Sequence, residues 1–207
     1  MIKLDSLKLG PLMTNCYIIG EKQVIVIDPA GDFPLIKLFI DQNEIEVKYI
    51  ILTHGHFDHT GALAELKEYT GAPVCIHRLD ERCLREKVFS QYKVTGEEPP
   101  MINADIILED GDTLECEGVT YTVMHTPGHT PGSICLHFCD NGSDVLISGD
   151  TMFAGSWGRT DFEGGDRDAM RASWKRITDE LPPETAVLPG HGGEVLLRDN
   201  ICIAGNI

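Results

Sequence analysis

The sequence is short of the features that mark membrane and secreted proteins. Its 207 residues contain no apolar run near 18 residues, the length that a membrane-spanning helix requires. The first ten residues, MIKLDSLKLG, lack the apolar core of a secretory signal peptide. The seven cysteines are odd in number and include no C-x-x-C pair, a poor basis for a disulfide framework. We therefore expect a cytoplasmic protein without membrane association, whose thiols are mostly buried as small hydrophobic groups.

Positive charge is also scarce. Lys and Arg number 17 against 33 Asp and Glu, which gives a net charge of −16 at pH 7. A surface this acidic repels phosphate backbones and anionic lipids, so we expect no nucleic-acid or membrane partner. No Gly/Ser linker or low-complexity tract interrupts the chain, and its hydrophobic fraction of 42% suits a buried core. We expect one domain over residues 1–207, and no partner protein is evident.

Apolar spacing predicts an α/β protein built in two mixed halves. Runs with β-strand character are 15–20, 23–29, 47–54, 72–77, 106–108, 113–116, 119–126, 133–138, 144–150 and 185–192. Helical spacing is found at 33–43, 61–71, 166–180 and, as a short helix, near 79–86. Residues 89–105 show no periodicity and are predicted to form a long surface loop, a candidate wall of a binding site. This order of strands and helices favours two β-sheets packed face to face, with helices outside both.

The histidines are concentrated in one short segment, THGHFDHTG, at residues 53–61. Three further segments, TVMHTPGHTPGS, LISGDTMF and AVLPGHGG, each place a His or Asp at or just past the end of a predicted strand. Loops that leave strand ends can converge at one rim of a sheet sandwich, which predicts a single site. The candidate ligands are His54, His56, Asp58, His59, His129, Asp150 and His191.

Seven imidazole and carboxylate groups are too many for one tetrahedral ion and about right for two. We predict that Asp150 bridges two ions, with the remaining ligands divided as His54, His56 and His129 on one ion and Asp58, His59 and His191 on the other. Because the set contains no thiolate, it suits zinc, iron or manganese. We expect two divalent metal ions per chain, with Zn²⁺ as the first choice.

Two such ions predict hydrolytic chemistry. They lower the pKa of a bound water toward about 7 and stabilise an oxyanion, which suits the hydrolysis of an activated acyl group. No Ser or Cys stands in a G-x-S-x-G context, and no separate nucleophile is required. Asp58 and Asp150 are therefore the candidate catalytic side chains, and Asp58 is expected to orient the attacking hydroxide.

The segments THGHFDH, TPGHTPGS, SGDTMF and LPGHG, in this order, resemble the metallo-β-lactamase superfamily. The stretch FAGSWGRTDFEGGD, at 153–166, resembles its glyoxalase II-like, or hydroxyacylglutathione hydrolase-like, branch. The resemblance covers nearly the whole chain and implies a four-layer αββα sandwich with two metals and a bridging Asp150. It also implies a thioester substrate of the S-lactoylglutathione type, cleaved by a metal-bridging hydroxide. Antibiotic hydrolysis is not expected, because a β-lactamase of the common zinc type would carry Cys in place of Asp150.

Arg159 and Phe162, which follow the Asp150 motif, are candidate substrate contacts. Similarity to glutathione-specific enzymes leads us to expect Lys or Arg near position 159 and a Tyr shortly after it, whereas this chain has Arg159 and then Phe162. Arg159 either binds a substrate carboxylate or forms a salt bridge with Asp161 or Asp166. Trp157 and Phe162 either form an apolar wall or pack as ordinary hydrophobic residues.

The segment after the last metal motif is short compared with that of glyoxalase II enzymes. Glyoxalase II enzymes continue from the catalytic domain into a helical domain that helps to bind the thiol. Here only residues 193–207 follow the last metal motif, enough for about one short helix. The resemblance therefore implies a short form without the C-terminal helical domain.

Four more polar residues are expected to act outside the ligand set. Asp28, in VIDPA, is predicted either to hold a metal-bound imidazole or to form the turn before Pro29. His125 is expected to be a strand-end residue or to support a ligand rather than to bind metal. His77 and His137 lie in strand-like runs and are expected to be structural.

An oxidoreductase is the alternative function. Persulfide dioxygenases share the implied fold and a similar G-R-T-D-F stretch. By resemblance to them, His54, His129 and Asp150 would hold one iron and leave open positions for substrate. Both families keep the full histidine set, and hydrolysis is the preferred hypothesis.

Overall fold

The computed structural model describes residues 2–200, which form two six-stranded β-sheets. The first sheet contains, in spatial order, β1 (Leu4–Leu9), β2 (Thr14–Ile19), β3 (Gln23–Ile27), β4 (Glu46–Ile51), β5 (Val74–His77) and β6 (Ile106–Leu108). The second contains, in spatial order, β7 (Thr113–Cys116), β8 (Val119–His125), β9 (Ile134–Asp140), β10 (Ser143–Gly149), β11 (Ala186–Pro189) and β12 (Val195–Leu196). Strands β3 to β6 pair in parallel, as do β10 and β11, whereas the other neighbours are antiparallel. Both sheets are therefore mixed, as predicted.

The helices connect and cover these strands. They are α1 (Phe33–Asn43), α2 (Phe57–Thr60), α3 (Leu63–Thr70), α4 (Arg167–Glu180) and α5 (Leu197–Asn200). Helix α4 begins at Asp166, whose carboxylate accepts hydrogen bonds from the backbone N–H groups of Asp168 and Ala169, a standard N-cap. Helix α3 ends at Gly71, which has the left-handed conformation (φ 68°) that favours glycine at this position. Within residues 2–200, none of the helices is long and apolar enough to cross a membrane.

Alternate side chains along the strands face different layers of the molecule. In β2, Cys16 and Ile18 join the apolar cluster under α1 and α3, whereas Tyr17 and Ile19 join the cluster between the two sheets. A third cluster lies between the second sheet and α4, around the fully buried Trp174. Three apolar interfaces separate four layers, so the predicted αββα sandwich is confirmed.

Several predicted elements are shorter in the structure than in the sequence analysis, and two of them are shorter for identifiable reasons. The strand predicted at 47–54 ends at Ile51, and the Thr53 N–H donates to Asp28 Oδ1 (2.8 Å) instead of to a neighbouring strand. The helix predicted near 79–86 is a 3₁₀ turn at Glu81–Leu84. The Asp80 carboxylate at its start bonds to other loops and does not cap a helix.

Other elements were not predicted at all. Strand β1, LDSLKL, lacks strict alternation of apolar residues, and helix α2 is a single turn within the histidine-rich segment. Strand β12 has two residues, too few for a recognisable pattern. Of the 193–207 segment, Leu197–Asn200 is helical, while residues 201–207, including Cys202, lie outside the described range.

Candidate metal centre

The strand ends of both sheets meet at one rim of the sandwich and bring the seven candidate ligands together. The segment after β4 supplies four of them, and the β8–β9 loop and the ends of β10 and β11 supply the rest. The ligand atoms of His54, His56 and His129, here called the first set, lie within 4.8 Å of one another. Those of Asp58, His59 and His191, the second set, do so as well. These are the two groups named from the sequence, and a third close group, His54, His59 and Asp150, joins them.

Asp150 lies between the two sets. Its Oδ2 is 3.5 Å from His129 Nε2 in the first set. Its Oδ1 is 3.3 Å from His59 Nε2 and 3.6 Å from His191 Nε2 in the second set. Each carboxylate oxygen therefore faces a different set, the arrangement expected of a bridging ligand.

The donor atoms at this rim fit metal ions. Within the described residues, five buried atoms lack a hydrogen-bond partner here: Nε2 of His54, His56, His59 and His129, and Oδ1 of Asp150. A buried polar atom left without a partner costs about 1–3 kcal/mol. Five such atoms converging at one point would be a large penalty, and bound cations would remove it. The set of imidazole and carboxylate donors suits zinc, iron or manganese.

Hydrogen bonds to the other ring nitrogen orient these imidazoles. Asp28 Oδ2 lies 2.8 Å from His59 Nδ1, and Thr53 Oγ1 donates to the same Asp28 oxygen (2.7 Å). Thr53 Oγ1 is also 3.2 Å from His54 Nδ1. His129 Nδ1 donates to the carbonyl oxygen of Arg159 (2.7 Å). Holding Nδ1 in this way points Nε2 at the ion and increases its basicity.

Asp28 occupies both of the roles predicted for it. It contacts the imidazole of His59, and it has a left-handed backbone conformation (φ 53°) directly before Pro29. Non-glycine residues pay a conformational cost in this region, and such strain is concentrated at functional sites. Its backbone N–H donates to Ile51 O (3.0 Å), which fixes β3 against β4 just below the metal ligands.

Asp80 is an important residue that the sequence analysis missed. Its fully buried carboxylate accepts hydrogen bonds from Gly55 N (3.0 Å), Thr130 Oγ1 (2.7 Å) and Gly132 N (2.7 Å). Gly55 lies between His54 and His56, and Thr130 follows His129. Asp80 therefore ties together the two loops that carry the first set. No motif marks it, because its partners come from distant parts of the chain.

The loop of His191 is held from the opposite side. Asn15 Nδ2 donates to the carbonyl oxygens of Pro189 (2.8 Å) and Gly192 (3.1 Å), and the Tyr17 hydroxyl donates to Pro189 (2.7 Å). Gly190 is required by the close approach of the backbone to the ligands. A Cβ atom there would lie 2.4 Å from Asp150 Oδ1 and 2.7 Å from His59 Cε1.

The two sets differ in charge. Burial lowers the pKa of His54 and His56, that of His56 to about 3, and neighbouring imidazoles add to the effect. Burial also lowers the pKa of His59, but the carboxylates of Asp28 and Asp150 outweigh it and hold the pKa well above its usual value. Burial raises the pKa of Asp150, but the surrounding imidazoles outweigh it and hold the pKa low. Without metal, burial keeps His54 and His56 neutral, whereas His59 pairs with the surrounding carboxylates.

The remaining histidines lie outside the centre. His77 and His125 stack on each other with ring centroids 4.0 Å apart, and His125 Nε2 donates to Pro131 O (2.9 Å). His137 Nε2 pairs with Asp144 Oδ1 (2.7 Å) at the second sheet. These contacts match the structural roles expected for His77 and His137, and they place His125 at a strand end near the His129 loop.

A cavity of about 350 Å³ opens above the centre. Arg159 and Phe162, the predicted substrate contacts, both line it, together with Trp157. Arg159 forms a two-pronged salt bridge with Asp161 (2.8 and 2.7 Å), one of the two alternatives left open by the sequence. Val94, from the 89–105 loop, lines the cavity as predicted, whereas the sequence analysis did not anticipate Leu12, Phe57 or Phe153.

Comparisons with known proteins agree with this geometry. The model of the Metallo-beta-lactamase superfamily matches residues 9–191. The probable metallo-hydrolase YqgX of Bacillus subtilis (strain 168) is 34% identical over 93% of this chain and 92% of its own length. The hydroxyacylglutathione hydrolase GloC of Haemophilus influenzae is 30% identical over 92% of this chain and 91% of its own length.

Solved structures share the architecture. The BLEG-1 B3 metallo-beta-lactamase is 31% identical with a TM-score of 0.90, and the match covers 97% of both chains. TTHA1623, in a di-iron-bound form, is 35% identical with a TM-score of 0.82 over 95% of this chain and 96% of its own. ETHE1 from Myxococcus xanthus is 25% identical with a TM-score of 0.78 over 96% of this chain and 81% of its own. With its αββα layers and its metal-binding His/Asp cluster, the chain belongs to the metallo-β-lactamase superfamily.

Proposed function

We propose that this chain is a dinuclear metal-dependent hydrolase that cleaves thioesters of the S-lactoylglutathione type. The observation that carries the proposal is the convergence of two ligand sets on the two oxygens of Asp150, with the Nε2 atoms of His54, His56, His59 and His129 buried and without a hydrogen-bond partner. In this proposal His54, His56 and His129 hold one ion. Asp58, His59 and His191 hold the other, Asp150 bridges them, and the ions are Zn²⁺ in the first instance, with iron or manganese as alternatives.

The chemistry follows from this charge arrangement. When bound, two divalent ions would lower the pKa of a water toward about 7 and stabilise negative charge on the acyl oxygen. In hydrolysis the water oxygen bonds to the acyl carbon, the C–S bond breaks, and its electron pair leaves with the sulfur. The products are a carboxylate and a thiol. Because a thiolate leaves without prior protonation, the cavity does not need a separate general acid.

Asp58 is placed to orient the attacking water. It lines the cavity, and its Oδ2 lies 3.2 Å from His191 Nε2 and 3.5 Å from Thr14 Oγ1. Burial raises the pKa of Asp58, but the imidazoles of His59 and His191 outweigh it, so the pKa is lowered. The carboxylate is therefore ionised at neutral pH and accepts a hydrogen bond from the water. Arg159 and Phe162 would contact the substrate farther out in the cavity.

The relatives support the choice of reaction. GloC carries the name of a hydroxyacylglutathione hydrolase, and TTHA1623 is described in a di-iron-bound form. Both similarities cover more than nine-tenths of each chain. They favour acyl-glutathione chemistry and a two-ion centre without deciding which metal this chain uses.

Metal analysis combined with parallel assays tests the proposal. Protein purified without added metal is analysed for zinc, iron and manganese, then assayed for thiol release from S-lactoylglutathione. We expect hydrolysis that rises with metal content and reaches its maximum near two ions per chain. Full thioesterase activity at one ion per chain would contradict the dinuclear centre. A β-lactam belongs in the same panel because of the similarity to BLEG-1, and preferred cleavage of that compound would overturn the choice of substrate.

A mononuclear iron persulfide dioxygenase is the second candidate. It is favoured by the similarity of the G-R-T-D-F stretch, and by His129 Nε2 lying 3.5 Å from Asp150 Oδ2 beside His54. Because both families keep the full histidine set, the second set does not decide between the two functions, and the parallel assays do. Oxygen consumption with glutathione persulfide, by protein that holds one iron and hydrolyses no thioester, would establish this alternative.

A further inference from the structure

The walls of the cavity above the metal centre are apolar on several sides. Leu12 comes from the turn between β1 and β2, and Val94 from the 89–105 loop. Phe153, Trp157 and Phe162 come from the segment after β10. Phe162 packs edge-on to His56, and Phe153 to His191, with ring centroids 5.7 and 6.0 Å apart. The apolar walls therefore begin directly at the ligand imidazoles.

Leu12 and Val94 have no evident role in folding. The exposed fractions of these residues are 52% and 66%, and neither belongs to the three apolar clusters that hold the layers together. Single exposed hydrophobic residues are common on protein surfaces, but these two lie in one concave site with four Phe and Trp side chains. Apolar residues gathered around a cavity with a few convergent polar groups are typical of a small-molecule site.

The cavity offers little to a charged group. Arg159 is the one Lys or Arg among the described residues that line it, and its Nε and Nη2 donate to Asp161. The guanidinium carbon also lies 4.2 Å from the centre of the Phe162 ring. A substrate carboxylate at Nη1 would share this cation with Asp161, whose negative charge weakens the attraction. The net charge of −16 adds a further disadvantage for an anionic substrate.

We propose that the cavity selects thioesters whose thiol arm is uncharged and apolar, such as an aromatic or aliphatic thiol, over those of charged thiols such as glutathione. This inference rests on the proposed thioester hydrolysis and changes only the preferred thiol: glutathione thioesters are still hydrolysed, but with the lowest kcat/KM of the series. The scissile carbonyl lies at the metal centre, and the thiol arm lies between Leu12 and Val94 on one side and the aromatic residues on the other. Burial of that arm supplies the binding energy that an ion pair would supply for glutathione.

Three thioesters of one acyl group separate apolarity from charge. The lactoyl esters of benzyl mercaptan, N-acetylcysteamine and glutathione present an apolar, an uncharged polar and a charged thiol arm. Values of kcat/KM for the holoenzyme are divided by the alkaline hydrolysis rate of each compound, which removes differences in intrinsic reactivity. We expect the benzyl thioester to exceed the N-acetylcysteamine thioester by about tenfold, the size of a modest hydrophobic contact, and glutathione to rank last.

Variants of Leu12 and Val94 test whether these residues contact the thiol arm of the substrate. Leu12→Asp and Val94→Asp should each lower kcat/KM for the benzyl thioester by about tenfold, mainly through KM, and lower the N-acetylcysteamine value less. Leu38→Asp is the matched control, because Leu38 is 51% exposed on α1 and does not line the cavity. It should behave as the unmodified protein does.

A binding measurement separates failure of this inference from failure of the proposed function. A non-hydrolysable thioether of benzyl mercaptan is titrated into the holoprotein and into the three variants by calorimetry. Tighter binding of this compound than of the glutathione thioether, weakened by Leu12→Asp and Val94→Asp but not by Leu38→Asp, supports the inference even if no thioester is hydrolysed. Preference for the glutathione compound in either experiment, or pocket variants that match the control, would overturn it.

Discussion

The first and second sets of the metal centre differ in how the fold holds them. His54, His56 and His129 are each 3% exposed or less, carry no partner carboxylate among themselves, and are tied together from behind by Asp80. The second set contains the carboxylate of Asp58 and the side chain of His191, which is 26% exposed. The first set is thus arranged by packing and hydrogen bonds to its loops, whereas the second is arranged largely by charge.

This difference has a consequence for metal loading. Neutral imidazoles that already point their Nε2 atoms at one place bind an ion without rearrangement or proton loss. In the second set, the raised pKa of His59 and of His191 means that an incoming ion must displace protons. We therefore expect the first set to fill before the second.

Asp150→Ala should have the largest effect, because it removes the one side chain that serves both sets. Without it, two cations about 3.5–4 Å apart lose the negative charge between them. We expect kcat/KM to fall by at least about a thousandfold and both ions to be lost, as measured by elemental analysis. His77→Ala is the control, since His77 stacks on His125 away from the centre and should affect mainly stability. Metal loss in His77→Ala together with full occupancy in Asp150→Ala would refute the ligand assignment.

Asp80→Ala and Asp28→Ala should weaken the binding of different metal ions. Residues that orient metal ligands typically contribute about 10–100-fold in metal affinity. We expect Asp80→Ala to weaken mainly the first ion, and Asp28→Ala to weaken mainly the second through His59. Cobalt titrations followed by absorption spectroscopy would resolve the two binding steps. Asp80→Asn, which keeps one carbonyl acceptor, should recover part of the loss, and equal weakening of both steps in every variant would show that the sets do not act separately.

The pH dependence of loading should also differ between the sets. As pH falls from about 8 to about 6, protons occupy groups with a raised pKa and compete with the ion. The pKa of His59 and His191 is raised, mainly by neighbouring carboxylates acting against burial, so the second dissociation constant should rise by at least about tenfold. The first should change less, because burial keeps His54 and His56 neutral over this range. Calorimetric titrations at several pH values measure both constants. Identical pH dependence of the two constants would contradict the claim that the two sets differ in charge.

Tyr17→Phe should give the smallest effect. It removes one hydrogen bond to the carbonyl of Pro189, while Asn15 Nδ2 still donates to the same oxygen. We expect a loss of about 1 kcal/mol in the free energy of unfolding and a few-fold weaker second ion, with the first ion unchanged. Denaturant titration and metal dialysis test this. A larger effect on the first ion would mean that the His191 loop supports both sets.

The sequence predicted the layers and the ligand clusters because both depend on local patterns. Continuous apolar runs such as QVIVI, buried on both faces, indicate central strands. A His or Asp directly after such a run therefore lies at the rim where the strand ends. Strand β1 escaped prediction because its apolar residues do not alternate. Asp80 was not predicted because it lies in an ordinary turn sequence, and its carboxylate bonds to partners 50 and 52 residues away.

By itself, the sequence indicated which side chains could bind metal and which fold brings strand ends to one rim, because these follow from residue type and short spacing. The division of the ligands between two ions stays a prediction. Only the tertiary structure decided that Asp28 holds His59, that Asp80 joins the loops of the first set, and that Asp161 occupies Arg159. The first two contacts join residues 25 or more positions apart. For the third, several acceptors are available to Arg159, and the sequence does not favour one of them. Packing of the two sheets brings these groups within hydrogen-bond distance, and no local pattern encodes that distance.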